Sequence, residues 1–380
     1  MTTDPAQSAP SEVLIVGGGV AALEALLALR DLAGDRAHLT LLAPNTEFVY
    51  RPMTVREPFS YGVANRFPLE RILADAGARR IDDVLVSVDP GARTVRTGAG
   101  SEHHYDELVV ALGATIKPRY EHAITIDDRR IDDLLHGLIQ DVEGGYVKRL
   151  AIVVPPRMPW QLPGYELALM TATRARDSNI EMEITILTPE DAPLTLFGDG
   201  ASRTVEALLD EHGIDVITSA YCEIPSTGRI EISPGGRTLT VDRVIALPEL
   251  FGPALPGFPE AEHGFIPVDE HCRVRGLTHE YAAGDAIDFA IKFGGLAAQQ
   301  ADTAARAIAA DLGAPVTATP FEPVLHGMLL TGGKPLYLSA EITGGHGFTS
   351  SISDEPLTQP QTKIAARYLA PYLEQRIQAV

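Results

Sequence analysis

Three consecutive glycines, Gly17-Gly18-Gly19, end the short apolar run Val13-Leu14-Ile15-Val16 and lead into the Ala- and Leu-rich residues 21–30. An apolar run of strand length, a tight glycine turn and a stretch with helical spacing read as strand, turn and helix. A second apolar strand at 39–42 completes a βαβ unit within the first 43 residues. The turn itself, Gly17-Gly18-Gly19-Val20-Ala21-Ala22, matches G-x-G-x-x-G/A, and its small residues have separate tasks. Gly17 permits the tight turn, Gly19 lets the backbone approach a pyrophosphate, and Ala22 lets the helix lie close to the strand. Free N–H groups at the helix start then face the anion. A glycine turn can be merely structural; the placement directly between strand and helix is what points to a dinucleotide.

The pattern recurs. Leu150-Ala151-Ile152-Val153-Val154 predicts a strand, residues 165–176 a helix and Glu183–Leu187 another strand, which makes a second α/β unit. Segments 84–88, 93–97 and 108–110 predict a small meander leading back into the first sheet, with His103-His104 in a hairpin loop. Residues 221–241 predict short strands around a Pro234-Gly235-Gly236 turn, and 202–211 and 295–310 predict helices. The tail 363–377, with Ile364, Tyr368, Tyr372 and Leu373 near one face, predicts an amphipathic helix packed on the protein or a twin subunit. Its polar face is not basic, so a membrane contact is at most peripheral.

Lys and Arg total 31 against 51 Asp and Glu, a formal charge of −20 that repels nucleic acid and anionic headgroups. No apolar run approaches the roughly 20 residues needed to span a bilayer, and the first twelve residues carry no basic region followed by an apolar core. The expectation is a cytoplasmic protein with a short leader. Cys222 and Cys272 fall into no C-x-x-C spacing and read as reduced structural thiols, and the scattered histidines give no metal site.

One element of the dinucleotide fingerprint is absent. The position after the second strand that usually carries Asp or Glu for the ribose hydroxyls is Ala43, followed by Pro44. Backbone groups around Ala43 are the expected substitute, with Glu47 as a fallback.

Two later segments complete a pattern. Tyr105-Asp106-Glu107-Leu108-Val109-Val110-Ala111-Leu112-Gly113-Ala114 resembles the apolar-strand-then-A-T-G segment of flavoproteins with two dinucleotide-binding domains, the pyridine nucleotide-disulfide oxidoreductase superfamily. Tyr281-Ala282-Ala283-Gly284-Asp285-Ala286 resembles their second FAD fingerprint, in which the Asp meets the ribityl or phosphate region. The resemblance implies an α/β chain of two Rossmann-like FAD/NAD(P)-binding-type domains with β-meanders, plus a small C-terminal unit. The expected division is 11–120 and 243–318 for the FAD domain, 121–242 for a second dinucleotide-binding-like domain degenerate for NAD(P), and 319–380 for a capping or dimerisation segment. It also implies FAD as the cofactor and an enzyme.

Within the superfamily the likeness is to the branch of sulfide:quinone oxidoreductases and type II NADH dehydrogenases. Phe48-Val49-Tyr50-Arg51-Pro52-Met53 is similar to the segment that lines the isoalloxazine there. Ile291-Lys292-Phe293-Gly294-Gly295-Leu296 is similar to the start of the helix that points at the flavin pyrimidine ring, where N–H groups and the positive dipole end stabilise negative charge at N1 and O2. The implied cofactor contacts are Gly17, Gly18, Gly19, Ala22, Ala43, Arg51, Pro52, Ala111, Gly113, Gly284, Asp285, Lys292, Gly295 and Leu296. Arg51, Trp160 and Lys292 are the candidate catalytic residues. Tyr50, Arg157, Met158, His326, Lys334 and Tyr337 are further candidates to line a pocket at the flavin.

In NADH-using relatives the second turn is also glycine-rich, whereas here it reads Pro155-Pro156-Arg157-Met158-Pro159-Trp160-Gln161-Leu162-Pro163-Gly164. Proline offers no N–H to a phosphate, so an ordinary NADH site is not expected. Glu190, after the next strand, stands where an acid would meet a ribose but reads more simply as a loop acid. The redox cysteines of sulfide:quinone oxidoreductases are missing as well. The leading expectation is electron transfer through FAD between a small donor and an organic, quinone-like acceptor. The alternatives are an NAD(P)H:acceptor reductase with a nonstandard nicotinamide site and a flavin-binding partner or sensor without turnover.

Overall fold

The computed structural model describes residues 9–343, 347–356 and 362–377. The first apolar run becomes the middle strand, Ser11–Val16, of a five-stranded sheet. The order is Glu280–Ala282, Glu107–Val110, Ser11–Val16, Ala37–Leu42 and Arg79–Ile81, every neighbouring pair parallel. The strands are apolar on both faces because both faces are covered. Val13 and Ile15 pack on the side of helices Val20–Ala33 and Gly294–Asp311, while Leu14 and Val16 pack with Val88 and Val95 of a meander formed by Leu85–Asp89, Thr94–Thr97 and Glu102–His104. His103 and His104 therefore lie on a strand. The hairpin loop falls just before them, where Thr97 N–H donates to Ser101 O at 2.9 Å.

The second domain repeats this plan. Its parallel sheet runs Ile124–Thr125, Arg243–Ala246, Arg149–Val153, Glu183–Leu187 and Ile214–Ile217. Leu150 and Ile152 face the side of helices Ile131–Glu143, Leu162–Asp177 and Gly198–Glu211, and Ala151 and Val153 face a meander of Tyr221–Ser226, Arg229–Ser233 and Arg237–Thr240. The sequence division at 242/243 gave Arg243–Ala246 to the returning FAD part. Its pairing with Arg149–Val153 and the burial of Val244, Ile245 and Ala246 place it in the second sheet. The chain crosses back only at Glu249–Phe251, which runs antiparallel to the outgoing Thr115–Lys117.

An antiparallel sheet of Val324–Leu329, Leu336–Thr343 and Gly347–Ser353 follows. Leu325, Leu329, Leu338 and Ala340 join the apolar core of the second domain. The tail is helical only over Leu369–Ile377. The expected helix over 363–368 does not form because its polar groups are drawn to distant partners. Lys363 Nζ reaches Glu166, Ile364 N–H donates to the Tyr50 hydroxyl at 2.8 Å, and the N–H groups of Arg367, Tyr368 and Leu369 donate to the buried Glu24 carboxylate at 2.6–3.0 Å. That carboxylate fixes where the last helix begins.

Candidate cofactor cleft

Gly17 adopts φ +124°, and a Cβ there would lie 2.2 Å from the Ala111 carbonyl oxygen. No other residue type fits that approach. Gly18 packs against Ala43, Asn45 and Leu69. Gly19 differs from both, because its backbone is extended and a Cβ on it would meet no atom within 4 Å. Open volume therefore lies in front of the first helix, whose N-terminus has no side-chain cap. The helix Gly294–Asp311 also begins uncapped. The first turns of the two helices meet at Gly284 (φ +77°), where a Cβ would lie 3.2 Å from Ala21 Cβ and 3.3 Å from Ala297 Cβ. Two N-termini with free donors thus border one cleft, an arrangement suited to an extended anionic ligand. Ala22 is fully buried in the helix–sheet contact, and Gly113, at φ +73°, also has open space at its Cβ position.

Asp285 is half-buried, and among the described residues no hydrogen bond reaches its carboxylate. Burial raises its carboxyl above the usual range, with Lys292 and Arg51 opposing the rise and Asp128 adding to it. Arg51 lies 3.9 Å from Asp128. Lys292 is buried, donates to the carbonyls of Ile287 (2.5 Å) and Phe289 (2.8 Å), and sits 4.1 Å above the Phe265 ring. Burial lowers its pKa to about 8. Its ammonium is thus spent on the loop that carries it, and only its field reaches Asp285. Trp160 stacks on Phe293 at 4.2 Å and 10°, beside Gly295 and the buried Leu296 at the second helix start.

Residues 11–143 match one family, described as pyridine nucleotide-disulphide oxidoreductase. Over those residues the chain is similar to that superfamily. A curated sulfide-quinone reductase of Aquifex aeolicus is 27% identical over 220 residues, 54% of this chain and 50% of that protein, so the chain spans about half the length of the curated relative it matches. The solved sulfide:quinone oxidoreductase from the same bacterium superposes with a TM-score of 0.81 at 18% identity, covering 97% of this chain and 90% of that one. A ferredoxin reductase from Rhodopseudomonas palustris gives 0.68 at 20% identity, covering 88% and 83%. FAD is the cofactor of the superfamily, and this cleft fits it: the volume before Gly19, the two uncapped helix starts and the unengaged Asp285 carboxylate are what a flavin dinucleotide requires.

At the second turn the polar groups have partners within the protein. Arg157 turns away to Glu249 (3.1 Å) and His263 (3.0 Å) and stacks over Phe251. Pro163 has no N–H in the first turn of its helix, and Gly164 N–H donates to Gln161 O. Glu190 accepts from the Tyr165 hydroxyl at 2.7 Å and from Thr188 at 3.0 Å, so its carboxylate serves the interior. Of the other lining candidates, Tyr50 is buried with its hydroxyl on the tail, and Pro52 offers its carbonyl to Lys363 at 2.9 Å. Met158 packs at the edge of the second core. His326 and Tyr337 lie on the sheet face opposite the buried Leu325, Gly327 and Leu338, while exposed Lys334 pairs with Asp354 at 3.8 Å. Sequence reasoning passed over Glu24 and Glu166, although each is the lone acid of an apolar helical stretch (AALEALL, GYELALM), and that isolation is a readable signal.

Proposed function

We propose that this chain is an FAD-dependent oxidoreductase that passes electrons between a small donor and an organic, quinone-like acceptor, both reaching the flavin directly. The observation that carries the reading is the contrast between its two dinucleotide turns. The first is open in front of Gly19, whereas at the second the polar side chains are engaged within the protein, Arg157 by Glu249 and Glu190 by Tyr165. One cofactor is provided for, and the prolines and engaged side chains of the second turn argue against a nicotinamide dinucleotide as the donor. Bound FAD supplies the capacity to take up an electron pair and release it again.

The likeness to a sulfide-quinone reductase supports a quinone-like acceptor. A quinone that takes two electrons also takes two protons, and Lys363 with Glu166 holds a proton beside the Pro52 carbonyl in the segment expected to line the flavin. The sulfide half of the relative's name does not carry over. Both cysteines are buried, and burial pushes Cys222 to about 11 and raises Cys272 too, so neither is a ready thiolate. The proposed cofactor contacts are Gly17–Gly19, Ala22, the backbone at Ala43, Arg51, Pro52, Ala111, Gly113, Gly284, Asp285, Gly295 and Leu296, and the proposed location is the cytoplasm.

Anaerobic stopped-flow mixing of the FAD-loaded protein with NADH, NADPH and sulfide, and of its dithionite-reduced form with quinones, tests the reading. Saturable reoxidation of the dithionite-reduced flavin by a quinone, with slow, unsaturating bleaching of the oxidised flavin by NADH and NADPH, is expected. Saturable bleaching within seconds at submillimolar NADH overturns it in favour of a nicotinamide-dependent reductase.

A further inference from the structure

The cleft has a second end, away from Asp285, where the strand Ala37–Leu42 finishes. A carboxylate ordinarily stands there to take the ribose hydroxyls of a bound dinucleotide. This chain has buried Ala43, then exposed Pro44 and Asn45. The Asn45 side chain lies over the glycine turn, with Oδ1 3.4 Å from where a Cβ on Gly18 would sit. Arg80 reaches the same place from the neighbouring strand. Its Nη2 donates to Asn45 O at 2.8 Å and to Ala43 O at 3.5 Å, and it pairs with Asp82 at 3.1 Å.

Two features make this more than a brace. The Arg80 side chain is only 15% exposed, against 66% for Asp82, so the arginine is fixed and its acid is largely in solvent. Its Nε–H is enclosed and has no acceptor among the described residues. A buried guanidinium donor without a partner is costly, and an oxygen-rich ligand removes the cost. The donor set is an amide and a guanidinium, and the one carboxylate beside them, Asp82, is paired with Arg80 and turned largely to solvent.

We propose that Asn45 and Arg80 form the subsite for the adenosine ribose of the cofactor. In this pocket amide and guanidinium groups meet the ribose hydroxyls, and a phosphate at the 2′ position is tolerated. A carboxylate at the strand end accepts from a free 2′-hydroxyl and repels a 2′-phosphate. An arginine does the opposite. The proposal rests on FAD occupying the cleft.

The test uses the full chain stripped of flavin and titrated with FAD, following quenching of flavin emission. Asn45→Ala and Arg80→Gln are each expected to raise the Kd for FAD about tenfold. In competition against FAD, adenosine 2′,5′-bisphosphate is expected to match or exceed ADP with the wild-type protein. Asn45→Asp, at an exposed position that leaves the fold intact, is expected to weaken the bisphosphate about tenfold relative to ADP. Rejection of the bisphosphate by the wild-type protein, or FAD binding within twofold of wild type in both Asn45→Ala and Arg80→Gln, overturns the subsite alone. A wild-type protein that takes up no FAD overturns the cofactor reading and the subsite together.

Discussion

Lys363 Nζ lies 2.6 Å from Oε1 and 2.7 Å from Oε2 of Glu166, with the two side chains 8% and 0% exposed. Burial pushes the carboxyl up and the ammonium down, and each partner's charge opposes the other's shift. Removing one partner leaves the other buried alone. Lys363→Met and Glu166→Gln should each lose about 3 kcal/mol of unfolding free energy, and the double variant should recover more than half of it. Guanidinium unfolding curves at pH 7 measure this; single variants that lose less than about 1 kcal/mol would show that the pair does not pin the tail.

Gly17 and Gly19 should fail in different ways. A side chain at Gly17 needs φ +124° and meets the Ala111 oxygen, so Gly17→Val should be expressed poorly or melt far below wild type. Gly19 is extended and has open space, so Gly19→Val should fold normally and purify without flavin. Circular dichroism melts beside visible spectra separate the two, and full flavin occupancy in folded Gly19→Val contradicts the assignment of the pyrophosphate site.

Glu107 gives a pH dependence of known sign. Burial raises its carboxyl from 4.5 to about 7, opposed by His279 at 2.9 Å, and its second oxygen has no partner among the described residues. Between pH 4.5 and 7 the native state binds a proton that the unfolded chain does not. This residue's contribution is therefore full below pH 4.5 and is lost as pH rises towards 7, with a slope of at most about 1.4 kcal/mol per pH unit. Glu107→Gln removes the titration and should gain on wild type between pH 5 and 7.5. Parallel pH profiles in urea would contradict the assignment.

Trp160 is the single tryptophan of the chain, and it stacks on Phe293 at the helix start that faces the cleft. Its emission should be strongly quenched when FAD is bound and recover when the flavin is stripped, with Gly19→Val resembling the stripped protein. Equal emission from loaded and stripped protein would place the flavin elsewhere.

How much of this was legible in the sequence followed from where each partner lies. The first turn could be read because the requirement at Gly17 and the space at Gly19 are properties of neighbouring residues. Glu24 and Glu166 stand out as acids in apolar helices, but their partners in the tail are 343 and 197 positions away, and nothing local announces them. For Lys292, sequence gave the position and not the rotamer, since a flexible ammonium takes whichever oxygens are nearest and here those were its own loop's carbonyls. His326 and Tyr337 were recoverable, because the alternation of Leu325, Gly327 and Leu329 assigns the intervening residues to the other face.

The sheet that holds the cleft is assembled from pieces synthesised far apart. His279, just before the strand Glu280–Ala282, meets Glu107 across 172 positions, and Arg367 meets Glu24 across 343. A ribosome that has finished the glycine turn has therefore made only one wall of the flavin's container. The last wall, Gly284–Asp285 with the helix Gly294–Asp311, emerges only after the whole second domain has been translated, so the cofactor should enter late. Until then the Ala-rich face of helix Val20–Ala33 lacks its partner helix, and slow translation or a shortage of flavin should send this protein to chaperones first.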